Sequence, residues 1–137
     1  MQRYRQGFTL IEIMVVVIIL GVLAGLIVPQ LFKHVGKSRH MVAAQKITQI
    51  ESAIQLFATE YERLPETIEE LIIRPSDIDE QLWLTPTVKQ KNLLDPWKRP
   101  FVYIYPGDQN PDSFDLLSLG KDGQQGGTGE NKDVTNW

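Results

Sequence analysis

The sequence has 137 residues, with 14 Lys and Arg against 17 Asp and Glu, a formal net charge of −3 and no Cys. This length accommodates one domain and an anchor, because domains commonly contain about 100–150 residues. The acidic balance and the lack of a basic run with interleaved aromatic residues argue against a nucleic-acid partner. Without Cys the domain has no disulfide bond, so its loops must be held in another way.

The N-terminal part of the sequence predicts a membrane helix. Residues 13–32 form a run of twenty residues without a charged side chain, dominated by Val, Ile and Leu. At about 1.5 Å per residue, a helix of this length spans roughly 30 Å, the thickness of one bilayer core. Glu12 lies at the start of the run, where an ionised acid costs on the order of 3 kcal/mol unless a cation meets it.

Cleavage of the chain after Gly7 would supply that cation. The new amino group on Phe8 would lie almost one helical turn before Glu12, and a neighbouring copy of the helix could present its amine to this carboxylate. Residues 7–12, Gly-Phe-Thr-Leu-Ile-Glu, resemble the prepilin peptidase motif of the type IV pilin superfamily, which includes the pseudopilins of type II secretion. The resemblance implies cleavage after Gly7, N-methylation of Phe8 and an assembly role for Glu12.

An ordinary secretory signal peptide is the competing interpretation of the same segment. Basic residues, an apolar run and small side chains are typical of such peptides and would place the cleavage after Ala24. A signal peptide gives no role to Glu12. The pilin-like interpretation divides the chain into a leader of residues 1–7, a transmembrane and filament-core helix of residues 8–32, and a periplasmic domain of residues 33–137.

An amphipathic stretch extends the membrane helix. Apolar residues recur at intervals of three and four along one face, at Ala43, Ile47, Ile50, Ile54, Phe57 and Tyr61. We therefore predict one long helix from about Thr9 to about Glu62. Gly25 and Pro29 are expected to kink it or to melt it locally, because Pro removes a helical hydrogen bond.

The residues after the long helix predict short elements. Thr67 and Glu70 have the spacing of a capping box at the start of a short helix of residues 68–73. In the Pro-containing loop that follows, Trp83 and Leu84 are expected to pack against the domain. Asp95-Pro96-Trp97 resembles the Asp-Pro-Trp element of the major pseudopilins. That family usually continues with Gly, whereas this chain continues with Lys98 and Arg99, which leaves the form of the turn open.

The C-terminal third predicts a small sheet. Residues 101–105 and 114–119 are rich in aromatic and branched side chains and predict two strands joined by a turn, and residues 134–137 predict a third. The predicted fold class is α+β and type IV pilin-like. A long N-terminal helix, half in the membrane and half amphipathic, packs on an antiparallel sheet of two or three strands with a Gly-rich C-terminal loop.

Residues 119–134 are the candidate metal site. They contain five Gly, with oxygen-bearing side chains between them. A loop with so little apolar surface needs an additional interaction to offset the entropy cost of ordering it. Calcium would provide one, since it binds carboxylate and carbonyl oxygens, but by chemistry alone a flexible loop remains the alternative.

Phe-Asp-Leu-Leu-Ser, then Gly-x-Asp-Gly and a terminal Asp-x-x-Asn-Trp, resemble the calcium loop of the major pseudopilins. The resemblance implies that calcium binds the side chains of Asp122 and Asp133 and the backbone oxygens of Leu119 and Val134. Ser118, Gln125 or Asn131 is expected to add a further oxygen. Lys132 stands where some members carry a second acid, which is expected to weaken the site or to recruit a backbone oxygen.

The resemblance implies a structural protein, the major subunit of the type II secretion pseudopilus. The resemblance implies a single-pass inner-membrane protein that polymerises into a helical periplasmic filament and drives export across the outer membrane. The implied partners are further copies of the chain, prepilin peptidase, minor pseudopilins, the inner-membrane secretion platform and, before assembly, membrane lipid.

The nearest alternative is a type IV pilus subunit for adhesion or motility. An exported enzyme finds little support, because His34 and His40 are expected to be solvated helix residues and assemble no nucleophile and base. A monomeric membrane-anchored binding domain would leave Glu12 unexplained.

Overall fold

The computed structural model of the chain describes residues 8–84, 86 and 88–137, with the side chains of residues 28–35 excepted. The predicted leader, including Gly7, lies outside the described residues. The chain divides into two units between Val35 and Gly36. Its elements are helix α1 (Leu10–Tyr61), 3-10 helices Ile68–Leu71, Gln90–Leu93 and Gly129–Asn131, and strands β1 (Val102–Ile104), β2 (Asp115–Ser118) and β3 (Val134–Thr135).

The first unit contains the apolar half of α1. Residues Leu10–Ile27 are the one segment of the described chain that is long and apolar enough to cross a membrane. All of its side chains are exposed, so this surface requires lipid or another helix to cover it. The helix continues through Gly25 and Pro29, so the expected local melting is wrong, while the alternative, a kink, stays a prediction. A Pro removes a single helical hydrogen bond, and the turns on both sides keep theirs.

In the second unit, one face of α1 packs against the rest of the domain. The predicted apolar stripe is confirmed, because Ala43, Ile47, Ile50, Ile54 and Phe57 are all buried. The helix bounds also match the prediction to within one residue at each end. The helix ends before Glu62, whose φ of 55° lies in the left-handed region that commonly terminates helices.

The sheet has three antiparallel strands in the order β1-β2-β3, which confirms the predicted fold class and the third strand. Tyr103 of β1 lies opposite Leu116, and Leu117 of β2 lies opposite Thr135. All four residues of the central strand β2 are buried. Leu116 joins the helix stripe in one apolar core, which fixes the strand whose end leads into the Gly-rich loop.

The predicted capping box at Thr67 does not form. Thr67 makes no side-chain cap hydrogen bond, and the segment is a 3-10 helix two residues shorter than the predicted helix. The Glu70 carboxylate instead accepts hydrogen bonds from the Arg63 guanidinium at 2.8 Å and from the Glu66 N–H at 3.3 Å. A stronger, charge-assisted partner therefore displaces the expected cap.

The long loop before the sheet is tied down by scattered apolar side chains. Trp83 stacks on Tyr61 with ring centroids 5.8 Å apart, as predicted. Leu84 remains 50% exposed, and its predicted packing is wrong. The core instead receives three other residues from this region, Ile78, Val88 and Leu93. Isolated apolar residues between polar ones have no periodicity, so the sequence does not distinguish the buried ones from the exposed ones.

Candidate functional site: the start of the helix and the C-terminal loop

The first predicted site, at the start of α1, contains a capping box. The Thr9 N–H donates to Glu12 Oε2 at 3.0 Å, and the Glu12 N–H donates to Thr9 Oγ1 at 3.3 Å. These reciprocal bonds satisfy two of the backbone donors that a helix leaves open at its N-terminus. Phe8, 83% exposed, directly precedes the cap. The Glu12 carboxylate thus has partners within its own helix, a role that sequence analysis missed although the Thr-x-x-Glu spacing signals it.

The second predicted site begins at the Asp-Pro-Trp turn, which Asp95 organises. Asp95 Oδ1 accepts hydrogen bonds from the N–H groups of Trp97 and Arg99, both at 2.9 Å. Asp95 Oδ2 accepts the hydroxyl of Ser118 at 2.6 Å, and both side chains are buried. This network fastens the turn to the end of β2. It also engages Ser118, one of the predicted calcium ligands, with a carboxylate.

The form of the turn is set by Lys98. Its φ of 66° lies in the left-handed region, which Gly adopts without strain and which costs energy for residues with a Cβ. The chain thus keeps a backbone conformation suited to Gly in a place where it has a Lys. The turn presents Trp97 to α1, where its ring contacts His40 with centroids 5.1 Å apart. His40 is therefore half-buried, and the prediction of a solvated His40 is wrong, because the Trp97 ring packs against it.

The first half of the Gly-rich loop is a turn over residues 119–123. The Gly123 N–H donates to the Leu119 carbonyl at 3.2 Å, and both Gly120 and Gly123 have positive φ. The guanidinium of Arg99 donates through Nη1 to the carbonyl of Gly120 at 2.9 Å and also to the carbonyl of Lys121. Backbone oxygens of this turn therefore already face a cation.

The second half of the loop is arranged around Asp133. Its Oδ2 accepts the Gly126 N–H at 2.7 Å, while its Oδ1 is buried and has no hydrogen-bond partner among the described residues. Lys121 and Glu130 join the two halves through an ion pair at 2.6 Å. The hydrogen bond from the Lys121 ammonium holds the pKa of the Glu130 carboxyl below its usual value.

The other predicted ligands are spread over the loop. Asp122 Oδ1 accepts the Gln124 N–H at 3.2 Å, and Gln125 is exposed. Asn131 ends the last 3-10 helix, and Val134 lies in β3 opposite Ser118.

The residues that the structure describes hold no group of three Asp, Glu, His or Cys side chains suited to a metal. Two carboxylates and several backbone oxygens are nevertheless a donor set that calcium accepts. The buried, unpaired Asp133 Oδ1 fits such an ion, because leaving that oxygen unpaired is costly.

Asp115 was missed as an organising residue. It is 1% exposed and accepts the N–H groups of Gln109 at 2.8 Å and Asn110 at 3.0 Å, and the Asn110 side-chain amide at 2.9 Å. Burial acts to raise the pKa of this carboxyl, but the hydrogen bonds outweigh burial and hold the pKa below its ordinary value. The available signal was an acid placed between Phe114 and Leu116 in a predicted strand.

Asn136 closes the loop on its C-terminal side and was also missed. Its side-chain oxygen accepts the Leu116 N–H at 2.9 Å, and its own N–H donates to the Leu116 carbonyl at 3.1 Å. A side chain thereby continues the ladder between β2 and β3. The loop is consequently anchored at both ends to the same central strand.

Both parts of the chain are similar to known protein families. The model of the family described as type II secretion system (T2SS), protein G, matches residues 30–137, and that of the prokaryotic N-terminal methylation motif matches residues 2–28. The chain is 40% identical to the type II secretion system core protein G of Pseudomonas aeruginosa, over 100% of this chain and 99% of that protein.

It is 34% identical to the core protein G of Vibrio cholerae, over 98% of this chain and 93% of that protein. Its fold matches the crystal structure of the major pseudopilin from the type 2 secretion system of enterohaemorrhagic Escherichia coli. The TM-score is 0.61 and the identity 19%, over 80% of this chain and 95% of that chain. With two matching relatives along nearly its whole length and a family model that covers the entire domain, the chain belongs to the type II secretion system protein G family.

Proposed function

We propose that this chain is the major structural subunit of the type II secretion pseudopilus. In this role it polymerises from the inner membrane into a periplasmic filament that drives protein export across the outer membrane. The observation that carries the proposal is the fully exposed apolar helix Leu10–Ile27, joined to a domain of this family. An apolar surface of this size is covered by lipid before assembly and by neighbouring helices afterwards.

The start of α1 supplies the assembly contact. Prepilin peptidase cleaves after Gly7 and methylates the amine of Phe8, which leaves a cation next to the capping box. That amine pairs with Glu12 of a neighbouring copy, and the carboxylate exchanges one of its hydrogen bonds with Thr9 for a charge-assisted bond between subunits. A contact between two different surfaces that does not close on itself generates a helical filament. Minor pseudopilins and the inner-membrane platform are the further partners of this filament.

Substitution at Glu12 tests the assembly role. Glu12→Gln removes the charge but keeps an oxygen for the cap, so it should abolish filaments and secretion while the protein stays in the membrane. Glu60→Gln is the matched control, because Glu60 is an exposed carboxylate near the other end of the same helix. Normal filaments and secretion in Glu12→Gln would contradict the proposal. Loss of surface pili with intact secretion, on deletion of the whole chain, would favour the type IV pilus alternative.

We further propose that the loop of residues 119–134 binds calcium. The ligands are the side chains of Asp122 and Asp133 and the backbone oxygens of Leu119 and Val134, with Gln125 or Asn131 able to add an oxygen. Ser118 is left out, because its hydroxyl donates to Asp95 and its oxygen accepts the Gly120 N–H at 3.4 Å. When bound, calcium supplies positive charge that pairs the buried Asp133 oxygen and joins the two halves of the loop.

Thermal unfolding of the full chain in mild detergent tests the calcium site. Calcium at about 100 times its dissociation constant should stabilise the fold by about 2.7 kcal/mol. For a domain of this size, such a gain corresponds to a rise of about ten degrees or more in Tm. Asp133→Asn should remove the rise, and Asp112→Asn, at an exposed acid outside the loop, should keep it. An equal Tm in calcium and in chelator would refute the site.

A further inference from the structure

We propose that Arg99 is a built-in cation of the C-terminal loop, which holds residues 119–123 in place when calcium is absent and so lowers the dependence of the loop on calcium. The inference rests on the proposed calcium site and concerns how this chain regulates it. Arg99 lies outside the loop in sequence. Its guanidinium nevertheless donates to the backbone carbonyls of Gly120 and Lys121, 21 and 22 residues further along the chain.

The base of the Arg99 side chain is fixed by a buried network. The Arg99 N–H donates to Asp95 Oδ1 at 2.9 Å, and the other oxygen of Asp95 accepts the hydroxyl of Ser118. Asp95 and Ser118 are 3% and 0% exposed. Since Ser118 ends β2 and the loop starts directly after it, the guanidinium and its target carbonyls are positioned by the same strand. Arg99 therefore reaches the loop from a rigid support.

The loop backbone is shaped to receive the guanidinium. Gly123 has a φ of 72°, and a Cβ at this position would lie 2.7 Å from Arg99 Nε. A side chain at residue 123 would thus be strained and would also collide with the arginine. The Gly123 N–H closes the turn onto Leu119, and Asp122 lies within the same turn. Arg99 consequently orders the segment that carries two of the proposed calcium ligands.

The charges around the loop support separate roles for Arg99 in its first half and for calcium in its second half. The loop and Arg99 together carry three acidic and three basic side chains and are therefore neutral. The acidic side chains are Asp122, Glu130 and Asp133, and the basic ones are Arg99, Lys121 and Lys132. A neutral loop has little self-repulsion for a divalent cation to relieve. The first half of the loop has its cation in Arg99. The unpaired Asp133 oxygen in the second half leaves that half to calcium.

Amide hydrogen exchange of the full chain in mild detergent tests the role of Arg99. The reporters are the N–H groups of Lys121 and Gly123, which donate to the carbonyls of Glu130 and Leu119. In chelator, Arg99→Gln should speed exchange at both by about tenfold or more, because two charge-assisted bonds are lost. In saturating calcium, the same variant should differ from the wild type by clearly less, since the ion then holds the segment. Amide exchange at Ile54, in the core of α1, reports whether the domain stays folded.

Two further variants sharpen the test. Lys98→Gln is the matched control, because it removes the same charge from the neighbouring, exposed residue and should leave exchange unchanged. Arg99→Lys keeps the charge but loses the planar fork, so its exchange rate should lie between those of the wild type and Arg99→Gln. It also serves as the variant to measure if Arg99→Gln fails to fold.

Unchanged exchange in chelator for either Arg99 variant overturns the proposal. An equal acceleration with and without calcium overturns the part that links Arg99 to calcium dependence. If the wild type shows no calcium binding in titration calorimetry, the calcium site is refuted, and the measurement in chelator still decides whether Arg99 holds the loop.

Discussion

Removal of the Asp95 carboxylate should destabilise the domain more than most surface substitutions. Asp95→Ala leaves three donors without their acceptor, the N–H groups of Trp97 and Arg99 and the buried hydroxyl of Ser118. Each lost bond to a charged acceptor is worth about 1.5–3 kcal/mol, but the N–H groups of an opened turn regain water. We therefore expect a total loss of about 3–5 kcal/mol, a large share of the roughly 5–15 kcal/mol that holds a domain together.

The assay is urea unfolding of the full chain in mild detergent, followed by tryptophan fluorescence. Asp95→Asn keeps one acceptor oxygen and should lose about half as much as Asp95→Ala. Ser118→Ala completes a double-mutant cycle with Asp95→Ala, and the coupling energy should be about 1–3 kcal/mol because the two side chains share one bond. A loss of less than about 1 kcal/mol in Asp95→Ala, or additive effects in the cycle, would refute the reasoning.

Two further predictions concern the turns beside the sheet. Lys98→Gly should raise the free energy of unfolding by about 0.5–1 kcal/mol. The change relieves left-handed backbone strain of about 1–2 kcal/mol, and part of this gain is offset because Gly adds conformational entropy to the unfolded state. A fall in Tm would contradict this. The folded-state pKa of Asp115 lies below its ordinary value of 3.8, so its contribution to stability is complete above that pH and is lost as the pH falls through the folded-state pKa. Asp115→Asn should accordingly lower stability at pH 7 and flatten the loss of stability as the pH falls below 3.8, and an unchanged pH profile of Tm would count against it.

The sequence predicted the elements whose signals are repetitive. The stripe from Ala43 to Phe57 repeats its apolar spacing over four turns, and any one residue could be wrong without changing the conclusion. The three strands were found for a similar reason, since aromatic and branched residues cluster there between turns. The exposed apolar segment Leu10–Ile27 is the extreme case, because composition alone predicts it.

Single-residue signals were less dependable, as the two Thr-x-x-Glu sequences show. The pattern at Thr67 was predicted to cap a helix and does not, because Arg63 binds Glu70. The same pattern at Thr9 forms both hydrogen bonds of a capping box, although the sequence predicts only an assembly role for Glu12. A local pattern offers a hydrogen bond, and whether it forms depends on competitors that are distant in sequence.

The candidate site was predicted only in part for the same reason. The loop and its acids follow from composition and resemblance, whereas the contacts of Arg99 and of Ser118 join residues about twenty positions apart. Nothing local to the Asp-Pro-Trp turn indicates that its next arginine reaches into the Gly-rich loop. Such pairings arise from strand registry, which a single sequence does not specify.

The pairing of β3 with β2 bears on how the chain avoids joining the wrong neighbour. β2 is the central strand only while residues 134–136 cover its second side. Were the C-terminal segment to detach, β2 would become an edge strand with open N–H and C=O groups, which is a template for strand addition by another chain. In the proposed filament, where many copies lie side by side, uncontrolled strand exchange would compete with ordered assembly. A closed Gly-rich loop would thus protect the sheet edge as well as the domain.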